Sequence, residues 1–314
     1  MASSHHSPTG AAHPSASAAN AERAQHLRGL LLCAFAAVIW STGGVVARTL
    51  ESTGWTVIFW RSLFAVLFLV GLLLVRERGR FFAVFREAGL AGVGIGLCFA
   101  TASTCYVIGL QYTTVAKLLF LQGIAPFLAA VLGWLFMRER VGLRTWVAMA
   151  AALVGVGIME IEAFSGAVNP IGDILGLVIA AAFAGATVIM RSNRKVRMTP
   201  AACLAALFAG LVAATQAPSL VVSAQDFPYL LFFGAGQLGL GMALFTSGGR
   251  HIPAATSALI SLLEPALGPT WVWLVYDENP GGYAIAGGAI LLGSLTLYSL
   301  YDLQAGRRIA PPAV

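Results

Sequence analysis

The chain has 314 residues, of which 58% are apolar and 10% charged, with a formal net charge of +6 and a mean hydropathy of +0.82. Soluble domains carry about 25% charged residues, so this composition excludes an ordinary globular protein. The basic balance is no argument for nucleic acid, because Lys and Arg gather on the cytoplasmic side of membrane proteins.

Residues 1–26 are rich in Ala, Ser, Pro and His and contain no apolar run. They read as a disordered cytoplasmic tail, with His5, His6, His13 and His26 as part of its low complexity and not as metal ligands. No cleavable signal segment is expected, since the first span is long enough to direct its own insertion. Ten apolar runs follow, at 28–48, 55–75, 89–110, 114–137, 144–162, 171–191, 199–218, 229–249, 254–276 and 282–301. Each approaches the roughly 20 residues that a helix needs to cross hydrocarbon. The runs are continuous, whereas a transmembrane barrel shows alternating segments of about ten residues. Tight turns join spans 3 and 4 (Gln111-Tyr112-Thr113) and spans 8 and 9 (Arg250-His251-Ile252-Pro253), and residues 303–314 form a second cytoplasmic tail. Cys33, Cys98, Cys105 and Cys203 all lie inside apolar runs. They give neither a disulfide framework nor a metal site, and no cofactor is expected.

The cations set the orientation. With the N-terminus inside, sixteen of the 19 Lys and Arg residues fall in the tails and the inner loops, Arg48 alone falls outside, and Arg61 and Lys117 lie within spans. The positive-inside rule then places both termini in the cytoplasm of a cell inner (plasma) membrane protein. The outer loops hold Glu51, Glu160, Glu162, Asp173, Asp226, Asp277 and Glu278.

An internal repeat underlies the ten spans. A shift of 139 residues places Tyr106 on Phe245, Gly109 on Gly248, Pro126 on Pro265, Trp134 on Trp273, Glu139 on Glu278 and Gly142 on Gly281. A shift of 143 places Gly29 on Gly172, Trp40 on Phe183 and Arg48 on Arg191. Residues 27–162 and 171–302 therefore read as two copies of one five-helix unit. An odd number of spans per copy inverts the second. The expected fold is all-α, ten transmembrane helices as two inverted five-helix repeats, an arrangement that recurs in secondary transporters.

Several stretches carry a family resemblance: Trp40-Ser41-Thr42, Phe59-Trp60-Arg61, Gln122-Gly123-Ile124-Ala125-Pro126 and Met137-Arg138-Glu139-Arg140 in the first half, Leu263-Glu264-Pro265 and Trp271-Val272-Trp273-Leu274 in the second. The two halves resemble the two EamA domains of the drug/metabolite transporter superfamily. The second turn reads Asp277-Glu278-Asn279-Pro280 and lacks the family's usual Gly before Glu. The resemblance implies a ten-helix carrier of small organic metabolites, often an exporter, and does not fix the substrate.

The costly residues in hydrocarbon are few. A charge at a helix centre costs about 2.5–3.5 kcal/mol on insertion scales. Glu264 sits at mid-depth of span 9 before Pro265. That proline removes a donor, disfavours helix in the residue before it and frees the carbonyl of Ser261; Pro269 in turn frees that of Pro265. Glu264 is the expected coupling site, or else a structural carboxylate. Pro126 repeats the kink in span 4 and frees the carbonyl of Gln122. Lys117 is read either as a partner for a substrate carboxylate or for Glu264, or as a snorkelling ammonium. Arg61 is read as a substrate contact, or as snorkelling or paired with Glu51. Gln237 is a substrate contact or interhelical glue. Trp40, Tyr106 and Phe245 are candidates for an aromatic cavity wall, and Trp60 joins them. Gly234, Gly236 and Gly239 spell G-x-G-x-x-G, but a nucleotide fingerprint belongs to a soluble βαβ unit, so they read as close helix contacts. The expected function is a secondary transporter of small organic metabolites, such as amino acids, exported by alternating access and with possible proton coupling. The rivals are an intramembrane enzyme or lipid-handling protein, which needs paired carboxylates or His at one depth, and a channel, which needs a continuous polar stripe.

Overall fold

A computed structural model describes residues 16–139, 141–159, 161, 170–194, 198–277 and 281–308. Among the described residues the protein is all-helical, without a strand. The helices are α1 (Ala16–Ser41), α2 (Gly43–Thr49), α3 (Gly54–Glu77), α4 (Phe81–Gly109), α5 (Val115–Gln122), α6 (Ala125–Met137), α7 (Leu143–Met159), α8 (Pro170–Ser192), α9 (Thr199–Gln216), α10 (Asp226–Leu231), a π-helical stretch at Phe232–Leu240, α11 (Gly241–Gly249), α12 (Ala254–Ser261), α13 (Leu263–Tyr276) and α14 (Gly281–Arg308). Eight segments are long and apolar enough to cross a membrane, and α7 is shorter. One of the eight, Gly54–Gly109, is α3 and α4 together. The chain reverses between them through Arg78 at φ 44° and the 3-10 turn Arg78–Arg80. The apolar segments thus match the ten expected spans, in an integral membrane protein.

Four boundaries differ from the sequence expectation. Residues 16–26, expected as tail, are helical and continuous with span 1, because Ala, Glu, Arg and Gln there are strong helix formers; residues 1–15 lie outside the described residues. Helix α14 likewise runs to Arg308, six residues into the expected C-terminal tail. Span 1 breaks at Thr42, where two glycines follow. Spans 4 and 9 break two or three residues before Pro126 and Pro265, so that each proline sits in the first turn of the second half-helix, where its missing N–H costs nothing. Glu278, Arg140, Glu160, Glu162, Lys195 and Arg197 lie outside the described residues.

The spans interlock in a regular way. α7 packs on α14, α3 on α9, and α6 on α12. α4 packs on α8 and α9, while α11 packs on α1 and the π stretch packs on α3. Glycines permit the closest crossings. A Cβ on Gly234 would stand 2.5 Å from the carbonyl oxygen of Arg61 and 2.6 Å from Cβ of Phe64, so spans 2 and 8 meet backbone to side chain. This is the close contact expected of the G-x-G-x-x-G run. The largest buried cluster includes Leu30, Cys33, Leu69, Met190, Met198 and Ile252. These residues belong to the end of the bundle that carries Arg76, Arg191 and Arg250, here called the arginine-rich face.

Candidate functional site

Spans 1, 4 and 9 are each broken, and three ionisable side chains, Arg61, Tyr106 and Glu264, act on one another inside the bundle. The break in span 1 is tied from two directions. The Gln237 amide donates from Nε2 to the carbonyl oxygen of Trp40 at 3.0 Å, and Trp271 Nε1 donates to Ser41 Oγ at 2.8 Å. Gln237 itself lies in the π-helical stretch. Such widened turns cluster at functional positions, and this one turns the amide toward span 1. Gln237 is buried, and its Oε1 has no hydrogen-bond partner among the described residues.

Arg61 is the most enclosed cation among the described residues, 6% exposed. Its Nη2 donates to Ser103 Oγ of α4 at 2.6 Å, and its guanidinium stands 4.7 Å from the centre of the Phe233 ring. The side chain neither snorkels nor pairs with Glu51; the bundle interior holds it. Ser103 and Phe233 are functional candidates that sequence reading missed, since nothing marks an ordinary Ser or Phe in an apolar run. Arg61, Tyr106 and Glu264 lie within electrostatic reach of one another.

Glu264 occupies the first turn of α13, where the helix dipole favours a negative charge. Its side chain makes no hydrogen bond or ion pair among the described residues and remains partly accessible. Tyr106 is also partly accessible and packs beside Ile58 and Leu118. Gln122 closes α5 and is buried, at the foot of the break that leads to Pro126.

Three expectations are corrected. Lys117 does not meet Glu264: its Nζ lies 2.6 Å from Oδ1 of Asp173 at the start of α8. The helix order brings α5 against α8, and the acidic first turn of α8 is the nearer anion. Trp40 and Phe245 do not line an open wall. Both are buried and form an aromatic core with Phe99 and Phe183, with ring centroids 5.1–6.3 Å apart. Large rings at facing positions of spans 1, 3, 6 and 8 exclude space between themselves before they can border it. Trp60 is tied to the rim instead, donating to the carbonyl of Leu220 at 2.9 Å, with its ring tilted against Phe64 and edge-to-face with Phe227.

A separate polar crevice of about 260 Å³ opens beside these aromatics, lined by Glu51, Ser52, Thr56, Ser219, Ser223 and Asp226. Asp226 is buried there and satisfied, accepting from Ser52 Oγ at 2.6 Å. No group of three metal-ligating side chains occurs among the described residues.

The comparisons with known proteins agree with this architecture. The chain is 24% identical over 274 residues to the pseudopaline exporter CntI of Pseudomonas aeruginosa (strain UCBPP-PA14), covering 84% of this chain and 93% of the exporter. It is 26% identical over 150 residues to the uncharacterized transporter YwfM of Bacillus subtilis (strain 168), covering 46% of this chain and 50% of that one. A solved crystal structure superposes with a TM-score of 0.73 at 18% identity, covering 87% of this chain and 98% of its own. The pattern of the EamA-like transporter family matches twice, over residues 27–161 and 170–300. With both matches spanning nearly all of the membrane-crossing chain, the protein belongs to the EamA-like transporter family.

Proposed function

We propose that this EamA-family protein exports small zwitterionic metabolites, amino acids or compounds like them, across a plasma membrane by alternating access. The observation that carries the reading is the combination of Arg61 and Glu264 within electrostatic reach of each other, with Tyr106 beside them. One fixed cation and one carboxylate without a hydrogen-bonded partner suit a ligand that carries both charges. Lys117 is neutralised by Asp173, so the cation excess suggested by the sequence falls away, and a zwitterion fits better than an anion. Arg61 would bind the carboxylate in the bidentate manner that guanidinium favours. Glu264 would accept the ammonium. Glu264 is also suited to carry a proton in exchange for substrate. The exporter name of the Pseudomonas relative supports the outward direction.

The two halves would act as inverted repeats. Exchanging each span with its counterpart five places away turns the α4–α8 contact into α11–α1, the α4–α9 contact into π stretch–α3, and α7–α14 into itself. Both termini would be cytoplasmic, with the arginine-rich face inside. Metabolite profiling of a deletion and an overexpressing strain tests the proposal. Overexpression is expected to raise extracellular compounds bearing both an amine and a carboxylate. A profile in which only uncharged or singly charged compounds change would refute the substrate class, and accumulation inside the cells would refute export.

A further inference from the structure

Spans 4 and 9 are each cut into two half-helices, and the halves lie at different depths. α5 and α13 flank the face opposite the arginine-rich one. α6 and α12 flank the arginine-rich face, where the turn 250–253 leads into α12. In an inverted repeat α5 corresponds to α12 and α6 to α13, so a symmetric molecule would bury them alike. It does not. Every residue of α12 is buried, whereas in its counterpart α5 only Leu118, Leu119 and Gln122 are buried among residues 117–122; α6 buries Ala125, Pro126, Ala129, Ala130 and Gly133, whereas its counterpart α13 buries only Pro265 and Ala266.

Packing shows the same asymmetry. On the arginine-rich side α12 lies against both α6 and α8. The corresponding contacts on the opposite side are α5 with α13 and α5 with α1, and neither forms a comparable interface among the described residues. The closed side is filled by side chains as well. Met190 of α8 reaches so close to Gly249 that a Cβ there would collide with its methyl group, and the same Cβ would stand 3.7 Å from Cβ of Ser257. Beyond this plug, Arg191 Nε donates to Glu139 Oε1 at 2.8 Å, with the two side chains 17% and 31% exposed. This bond joins the end of α8 in the second half to the turn after α6 in the first. It therefore spans the seam that must part if the arginine-rich face opens.

We infer that the structure is the outward-open state of the carrier and that the Arg191–Glu139 pair is the latch of its closed cytoplasmic gate. The inference rests on the alternating-access reading and adds to it the state and the residues that hold it. Arg191 and Glu139 are positioning residues. They touch no substrate and bias an equilibrium between two packings.

Thiol accessibility without substrate tests this. In a background lacking the four native cysteines, Ser257→Cys reports the closed gate. Gly268→Cys reports the open side, since a Cβ there meets nothing within 4 Å and the residue shares a helix face with Glu264. Membrane-impermeant maleimide is added to right-side-out and inside-out vesicles. The parent should label at Gly268→Cys from outside and stay inert at Ser257→Cys. Arg191→Gln and Glu139→Gln should each speed labelling of Ser257→Cys from the cytoplasmic side by up to about fivefold, the population shift available from one partly exposed ion pair, and slow Gly268→Cys. The swapped double variant Glu139→Arg/Arg191→Glu should restore parental rates, which separates a latch from a general loss of fold. Parental Ser257→Cys labelling as fast as Gly268→Cys would overturn the assigned state, and rates unmoved by both single variants would overturn the latch. Because the readout needs no substrate, an absence of transport would count against the carrier reading and leave these rates to judge the gate.

Discussion

Replacing Arg61 by Met should separate recognition from folding. The substitution keeps an unbranched apolar stem near the Phe233 ring, which now stands 4.7 Å from the guanidinium. It removes the charge and the 2.6 Å bond to Ser103. The Ser103 hydroxyl can turn to a carbonyl of its own helix, and the lost charged hydrogen bond is offset in part because the guanidinium no longer has to be desolvated, so the folding cost should stay within about 2 kcal/mol. Substrate binding should suffer more. A hydrogen bond to a charged group is worth about 1.5–3 kcal/mol, equivalent to a ten- to hundredfold loss of affinity. Lys117→Met serves as the comparison. Its ammonium is bound to Asp173 with side chains 17% and 32% exposed, and a partly exposed pair is worth about 1 kcal/mol or less. That variant should lose less than about fivefold in affinity by the same measure. The assay is counterflow of a labelled amino-acid mixture in proteoliposomes, with thermal unfolding in detergent as the control for folding. A larger affinity loss in Lys117→Met than in Arg61→Met would refute the reassignment of the substrate cation.

Three further outcomes follow from the structure. Glu264→Gln should still exchange substrate across liposomes but lose accumulation driven by a pH gradient, and wild-type driven uptake in this variant would remove the coupling role. His251, in the turn before α12, is held below its ordinary value of 6.5 by burial and by the charges of Arg250, Arg28 and Arg191. The unfolded chain therefore binds its proton first, and stability should fall as pH drops through that ordinary value toward the folded one; His251→Gln should flatten the unfolding temperature across pH 5.5–7.5, and an unchanged slope would refute this. Glu278→Gln, at the position that the 139-residue shift aligns with Glu139, should favour the outward-open labelling pattern, opposite in sign to Glu139→Gln.

The spans were legible because hydropathy is additive along the chain: each run of about 20 apolar residues has one low-energy place. The kinks were legible from Pro126 and Pro265, though each break lies in the preceding turn because proline starts a helix more readily than it interrupts one. The break of span 1 was written in Thr42-Gly43-Gly44 and overlooked, since paired glycines in hydrocarbon also serve close packing. Side-chain partnerships were not legible. Lys117 and Asp173 belong to different halves of the chain, and a tally of charges cannot say which pair will meet. Depth in a span is readable for Arg61, but the helix face it occupies depends on where Ser103 and Phe233 arrive. The aromatic core misled for the same reason: Trp40 and Phe245 have the composition of a cavity wall and the packing of an interior.

The most direct measurement is competition against that counterflow by three ligands with one common side chain: the full zwitterionic amino acid, its decarboxylated amine and its deaminated acid. A carrier that places a substrate between Arg61 and Glu264 should show saturable counterflow, with the zwitterion competing at least tenfold better than either analogue, the value of one charged hydrogen bond. Equal competition by all three, or by the amine or the acid alone, would contradict the account.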